Sequence, residues 1–361
     1  MTEKAPPLAL VVGATGIVGN RISANLLDRG LDVVGMSRRA PSPRPGVQSV
    51  TVDFTDEAAL QTALADIRPT EIYFTAWARM PTEAENIRVN GGMVRDILKA
   101  VEPHQSVRHV ALMTGLKHYL GPFEAYASGE TRDTPFHEEE PRLPTPNFYY
   151  AQEDELWKSA DRNGFSWSVH RSHTVIGYAV GNAMNIASTL AVQAALAKHR
   201  GEPFIFPGND IQWNGITDMT DSDLAARQMI WAAESEKAAN QAYNIANGDV
   251  FRWRWMWPRI AEMLGVEPEG YEGESRPLEQ QMAGPGPQQA WKEITVEHNL
   301  IEPDLSRVAS WWHTDSDLNR PLECFTDMAR SRRLGFLDQS NSLDCFGEAF
   351  DRLRREGIIP K

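Results

Sequence analysis

Short apolar runs alternate with amphipathic stretches through the first half of this chain. Leu8–Val12 is an apolar run stopped by Gly13, the pattern of a strand buried on both faces. Residues 16–30 follow with Ile17, Ile22, Leu26 and Leu27 on one helical stripe and Gly30 as terminator. The same reading predicts strands over 32–36, 47–52, 71–75, 107–113 and 165–169, and helices over 57–65, 83–101 and 149–163. This alternation implies right-handed crossovers and an α/β fold, a doubly wound parallel sheet. After Gly177 the alternation weakens. Helices are predicted over 182–199 and 224–235, a returning strand over 243–246, and a mostly helical remainder from Trp253 onward. The expected division is 1–175 as the sheet unit and 176–361 as a helical lobe, with segments at about 210–250 returning to the sheet.

Two stretches break the pattern. Residues 116–146 are rich in Pro, Glu and Gly, and a loop of that length in a compact domain is usually functional. Gly284-Pro285-Gly286-Pro287 reads as a mobile loop.

At 361 residues the chain can bury a large core, and its net charge of −13 argues against nucleic-acid or anionic-membrane partners. No apolar run approaches the roughly 20 residues of a membrane helix, and residues 1–7 lack the basic-then-apolar pattern of a signal peptide. Cys324 and Cys345 lack metal-ligand spacing, so no metal site is expected and a reducing cytoplasm is the simplest home.

Gly13-Ala14-Thr15-Gly16-Ile17-Val18-Gly19 stands between the first strand and its helix. Glycines there let the backbone turn tightly and approach a pyrophosphate, whose charge meets the N–H groups at the helix start. This is the signature of a Rossmann dinucleotide site. An NAD site would offer Asp or Glu to the ribose after the second strand, but this chain has Ser37, Arg38 and Arg39. A guanidinium suits a 2′-phosphate, so NADPH is expected over NADH. Asp53, after the third strand, reads either as an acceptor for the adenine amino group or as a helix cap.

Enzymes with this opening often carry a Tyr followed four residues later by a Lys, and none of the eight tyrosines here has that partner. Lys117 instead follows the fifth predicted strand, and Tyr149 starts a helix 32 positions on. The chain has eight lysines among its 36 basic residues, so a Lys after a strand end invites a role for an ammonium. At a helix start the dipole eases a developing phenolate, and a phenol with an ammonium nearby can stabilise an enolate or alkoxide oxygen. For Tyr150, core packing is the better reading.

Several blocks now combine: GATGIVGN (13–20), SRR (37–39), TAWA (75–78), MTGLKHYLGPFE (113–124), NFYY (147–150), WSVHR (167–171), NGDVFRW (247–253), WW (311–312) and GFLDQSNS (335–342). With them the chain resembles, over nearly its whole length, the progesterone 5β-reductase and iridoid synthase family of atypical extended short-chain dehydrogenases. The resemblance implies a Rossmann sheet with a helical lobe over the substrate, and NADPH-dependent reduction of a C=C bond conjugated to a carbonyl. It matches Tyr149 and Lys117 to the catalytic pair. The cofactor set becomes Gly13, Thr15, Gly16, Ile17, Val18, Ser37, Arg38, Arg39, Asp53, Phe54, Thr75, Ala76, Thr114, Tyr149, His173 and Thr174. Trp77, Leu120, Phe123 and Tyr126 are matched to the pocket of a small apolar enone or enal.

Ser172-His173-Thr174 stands where the plant enzymes have Pro-Gly-Asn, Leu120 where the steroid reducers have Met, and Leu116 where they have Arg. These departures point to a bacterial relative and to a different substrate outline. Two alternatives stay open: a carbonyl reductase working by 1,2-addition, and an NADP-binding sensor without turnover. A homodimer is left open.

Overall fold

The computed structural model describes residues 7–39, 45–122, 133–182 and 184–361. Seven parallel strands form the main sheet: β1 (Leu8–Val12), β2 (Asp32–Ser37), β3 (Val47–Thr51), β4 (Glu71–Phe74), β5 (His109–Gly115), β6 (Ser166–Ser172) and β7 (Gln241–Ile245). Their order is β7-β6-β5-β4-β1-β2-β3, so the winding reverses between β1 and β4. Ligands of such sheets bind outside the carboxyl ends of the strands at that reversal.

The helices cover both faces. On one, α2 (Glu57–Leu64), α3 (Glu83–Val101) and α5 (Phe148–Asn163) bury Leu60, Met93, Ile97 and Leu156 against Leu10, Val34, Ile72 and Leu112. On the other, α1 (Gly19–Asp28) and α7 (Ser222–Glu234) bury Ile22, Leu26, Leu224 and Met229 against Ala9, Val11, Val33 and Ala111. The expected α3 bounds match those observed. Helix α1 starts at Gly19 rather than residue 16, because 13–18 are spent on the glycine turn. The short helix α4 (Lys117–Leu120) follows β5 directly.

A third core lies in the second half of the chain. There α6 (Ile186–Arg200), α8 (Trp253–Leu264), α9 (Gly286–His298), α10 (Trp311–Leu318) and α11 (Ser342–Arg355) surround Phe204, Phe206, Trp253, Trp257 and Trp291. The strand expected near 243–246 is β7, paired in parallel with β6. The expected mobile loop at 284–287 is corrected: Pro285 caps α9, and Gly286-Pro287 are its first two residues. Proline lacks the N–H that a first helical turn leaves unused, so it fits there. Among the described residues, no helix is long and apolar enough to cross a membrane.

Candidate active site

One cavity runs from the glycine turn across the ends of β4, β5 and β6 to α10. At its cofactor end, Gly13 has φ +89°, and its N–H, like that of Ala14, donates to Met36 O at 3.0 Å. A Cβ on Gly13 would come 3.0 Å from Ala76 N, and one on Gly19 would come 2.2 Å from Gly13 O. The turn is therefore folded as tightly as bare backbone allows, and no side chain caps the N-terminus of α1. Such a cradle of unshielded N–H groups suits a pyrophosphate. Gly16, Ile17, Val18, Thr75, Ala76, Thr114, His173 and Thr174, all expected cofactor residues, line this cavity.

The residues expected on the adenosine side are more loosely placed. Ser37 is buried and donates to Arg39 O at 2.7 Å, shaping the turn after β2. Arg38 and Arg39 are exposed, with Arg39 close to Gly181. Asp53 accepts from the N–H and hydroxyl of Thr55 at 2.9 and 2.8 Å, which hold its carboxyl below the usual range. The cap of α2 is Asp56, so the capping alternative for Asp53 falls away. Phe54 lies in the sheet core, leaving only its backbone for a ligand. Thr15 is exposed beside the turn.

The two catalytic candidates meet at the carboxyl end of β5. Lys117 is only 6% exposed, and its Nζ lies 4.9 Å from the centre of the Phe148 ring. Tyr149 opens into the same cavity, its hydroxyl 3.3 Å from where a Cβ on Gly115 would stand. Asn147 ties the two segments together. Its Nδ2 donates to Lys117 O at 2.7 Å, while its Oδ1 accepts from Tyr149 N at 3.0 Å as the cap of α5. Burial pushes the Tyr149 phenol well above its ordinary pKa, and the Glu83 carboxylate adds to this. Tyr149 is thus a hydrogen-bond donor through the neutral range. Tyr150 is core, as expected: its hydroxyl donates to His118 O at 2.7 Å.

Trp77 lines the cavity and stacks on Phe148 at 5.9 Å. Leu120 does not line it. It packs with Leu116, Tyr119, Phe136 and Cys324 in a small core behind the site. Its place one turn into α4 turns it away from the chamber. Phe123 and Tyr126 lie outside the described residues.

Sequence reasoning missed a polar cluster that α10 and the residues after it supply. His313, Asp317 and Arg320 line the cavity with His173 and Thr174. Asp317 accepts from Thr174 Oγ1 at 3.0 Å and pairs with Arg320. His173 Nδ1 stands 2.6 Å from Asp218 Oδ1, and its Nε2 2.5 Å from Arg320 Nη1. Burial opposes charge on this ring, yet Cys324 and Asp218 beside it raise its pKa to about 9. The Arg320 contact pulls the other way: a guanidinium offers only donors, so the contact needs a lone pair on Nε2, and protonation of the ring would break it. The only sequence signal was the His173 departure. Nothing marked residues 313–320, which reach the site only through the tertiary fold.

The sequence profile of the NAD dependent epimerase/dehydratase family matches residues 9–246. Among characterised proteins, (S)-8-oxocitronellyl enol synthase of Camptotheca acuminata is 37% identical, the alignment covering 98% of this chain and 93% of that one. The 3-oxo-Δ4,5-steroid 5β-reductase of Arabidopsis thaliana is 37% identical with the same coverage. An (S)-8-oxocitronellyl enol synthase of Nepeta cataria is 38% identical, again over 98% and 93%. Among solved structures, the UDP-glucose 4-epimerase of Thermotoga maritima superposes with a TM-score of 0.68 at 15% identity, covering 96% of this chain and 99% of that one. The Bordetella bronchiseptica enzyme WbmH, solved with NAD+, gives 0.66 at 15% identity, over 97% and 99%. At such low identity these two speak for the fold alone.

Proposed function

This chain belongs to the NAD dependent epimerase/dehydratase family, and we propose that it is an NADPH-dependent reductase of C=C bonds conjugated to a carbonyl. The observation that carries this reading is the pairing of half-buried Tyr149 with buried Lys117, brought to one chamber by separate segments and joined to the glycine cradle. The relatives named as enol synthase and steroid 5β-reductase support it.

The cradle fits the dinucleotide, because a Cβ at Gly13 or Gly19 would fill the space its pyrophosphate turn requires. Gly16, Ile17 and Val18 would hold the pyrophosphate, and Arg38 and Arg39 would pair with a 2′-phosphate. When bound, the reduced nicotinamide supplies a hydride to the β-carbon of the substrate. Tyr149 donates a hydrogen bond to the substrate carbonyl oxygen and stabilises the enolate, in which the C=C pair has shifted to join the α-carbon to the carbonyl carbon and the C=O pair has moved onto the oxygen. Lys117 adds positive charge to the same end of the chamber. The buried setting strengthens both effects by excluding water. A proton from solvent then closes the reaction at the α-carbon, so one hydride and one proton saturate the double bond.

Purified protein mixed with NADPH and 2-cyclohexen-1-one tests the reading by cofactor absorbance and product analysis. Cyclohexanone is the expected product. Allylic alcohol as product, or no turnover across a broad enone panel, overturns it. NADH should support a rate at least ten-fold lower in kcat/KM, and replacing Arg38 and Arg39 with Ser should close that gap.

A further inference from the structure

The start of α5 is held by a side chain from another helix. Asn147 Oδ1 takes the N–H of Tyr149, which leaves the N–H of Phe148 to find its own acceptor. Glu83, the first residue of α3, supplies it: its Oε1 accepts from Phe148 N at 2.7 Å, across 65 positions of the chain. Its Oε2 accepts from Asn86 Nδ2 at 3.0 Å, and Asn86 Oδ1 accepts from Met80 N at 2.8 Å. Met80 lies in the turn after β4 that also carries Trp77. One carboxylate therefore joins two walls of the chamber, the Tyr149 helix and the Trp77 turn. Phe148 stands between them. It is buried, its ring stacks on Trp77, and Lys117 Nζ lies 4.9 Å from the ring centre. Two helices, α3 and α5, open beside this one carboxylate, and the positive ends of both dipoles favour it.

We infer that Glu83 is a positioning residue for the reaction: by gripping the backbone just ahead of Tyr149, it fixes where the phenol points and holds the Trp77 wall beside it. The inference rests on the enone-reductase reading above and adds a residue that acts through Tyr149. Glu83 itself is not among the residues that line the cavity. Its charge also matters. The dipole at the start of α5 would ease ionisation of the phenol. Burial and, after it, the carboxylate at that same end keep the proton on Tyr149. A developing enolate oxygen needs such a donor, whereas a phenolate would repel it. Glutamine in place of Glu83 could still accept from Phe148 N, but its other arm would set an amide donor against Asn86 Nδ2. Alanine would lose both arms.

The test compares wild type and Glu83→Ala, each with and without Tyr149→Phe, using NADPH and 2-cyclohexen-1-one. Glu83→Ala should lower kcat about 10- to 100-fold, the scale of a misplacement approaching an ångström, and leave NADPH affinity unchanged. In the Tyr149→Phe background the same change should cost less than about two-fold, because the group it aims is gone. Glu83→Gln should lose less than Glu83→Ala, and it runs the same cycle if Glu83→Ala does not fold. A residue that only stabilises the fold would lower Tm and cost kcat equally in both backgrounds. Equal costs therefore overturn the inference, as does a Glu83→Ala enzyme with wild-type kcat. Amide exchange over residues 147–151, read by mass spectrometry, needs no turnover. Glu83→Ala should speed exchange there, and Glu83→Gln should do so much less; unchanged exchange in Glu83→Ala also overturns the inference. Should the wild type reduce no enone, the enone-reductase reading fails by itself, and the exchange result still decides whether Glu83 holds the start of α5.

Discussion

Replacing Gly19 with Ala probes the cofactor cradle most directly, because the obstruction can be read off the backbone. The new Cβ would lie 2.2 Å from Gly13 O and 2.8 Å from Gly13 C. A carbon and a carbonyl oxygen need more than an ångström beyond the first of these distances. Both obstructing atoms are main chain, so no flexible side-chain end can swing away. Relief must come from moving the Gly13 peptide, whose neighbours donate to Met36 O and whose φ is +89°. Overpacking of this kind costs about 1–3 kcal/mol. If the displaced peptide is also the one that meets the pyrophosphate, a cost of that size raises the NADPH Kd by roughly 5- to 150-fold, since about 1.4 kcal/mol is ten-fold. Gly16 gives the internal comparison: a Cβ there would meet Gly13 O at 3.1 Å, which a small shift absorbs. Titration of NADPH by fluorescence and a thermal melt, run on both variants, separate the effects. Gly19→Ala should lose stability and affinity together, whereas Gly16→Ala should keep its Tm. A Gly19→Ala protein that melts and binds NADPH like wild type would refute the reasoning.

Tyr149→Phe should lower kcat by about 10²–10³, the usual effect of losing one oxyanion donor, with NADPH affinity unchanged by titration. Because the Tyr149 pKa is raised in the folded protein, the phenol keeps its proton as pH rises, so kcat should show no loss from its ionisation up to about pH 10. Asn147→Ala cuts the link between the Lys117 backbone and the α5 cap; it should lower kcat more than it raises KM, with Asn147→Asp restoring the cap but not the bond to Lys117 O. Burial lifts Glu138 from an ordinary 4.5 to about 7. The folded chain then holds a proton that the unfolded chain has released, and stability falls as pH rises between those values by roughly 1.4 kcal/mol per pH unit. Glu138→Gln should therefore melt higher than wild type at pH 8 and about the same at pH 5.

The sheet was legible in the sequence because its central strands β1, β2, β4 and β5 are short, mostly apolar runs buried on both faces, and the turn after β1 announced itself by its glycines. Helix α3 could be bounded to the residue: Thr82 accepts from Glu85 N at its start, and its apolar stripe runs to Val101. The Gly-Pro run at 284–287 misled, because glycine and proline mark a helix start as readily as a loop. Leu120 misled for a different reason. Correspondence of position with a pocket residue does not fix side-chain direction, and one turn of α4 sends Leu120 into the core behind. Tyr149 and Lys117 could be found because each stands at an element end. Asn147 was visible only as part of a block, since its work depends on a contact 30 residues away. The α10 cluster was invisible: His313, Asp317 and Arg320 look like ordinary polar residues until the fold sets them beside His173.

The late arrival of β7 has a consequence for how the protein is made. Strand β6 ends at Ser172, but its outer partner begins at Gln241. While the chain is being synthesised, β6 is a free margin of a growing sheet for some 70 residues, with unpaired N–H and C=O groups open to any passing strand. A fragment ending near residue 175 should be sticky for that reason, even though it carries the whole glycine cradle. The strand that closes the sheet precedes α10 in the chain, so neither the pairing of this margin nor the α10 wall of the cavity can form until residues 241–318 have been made.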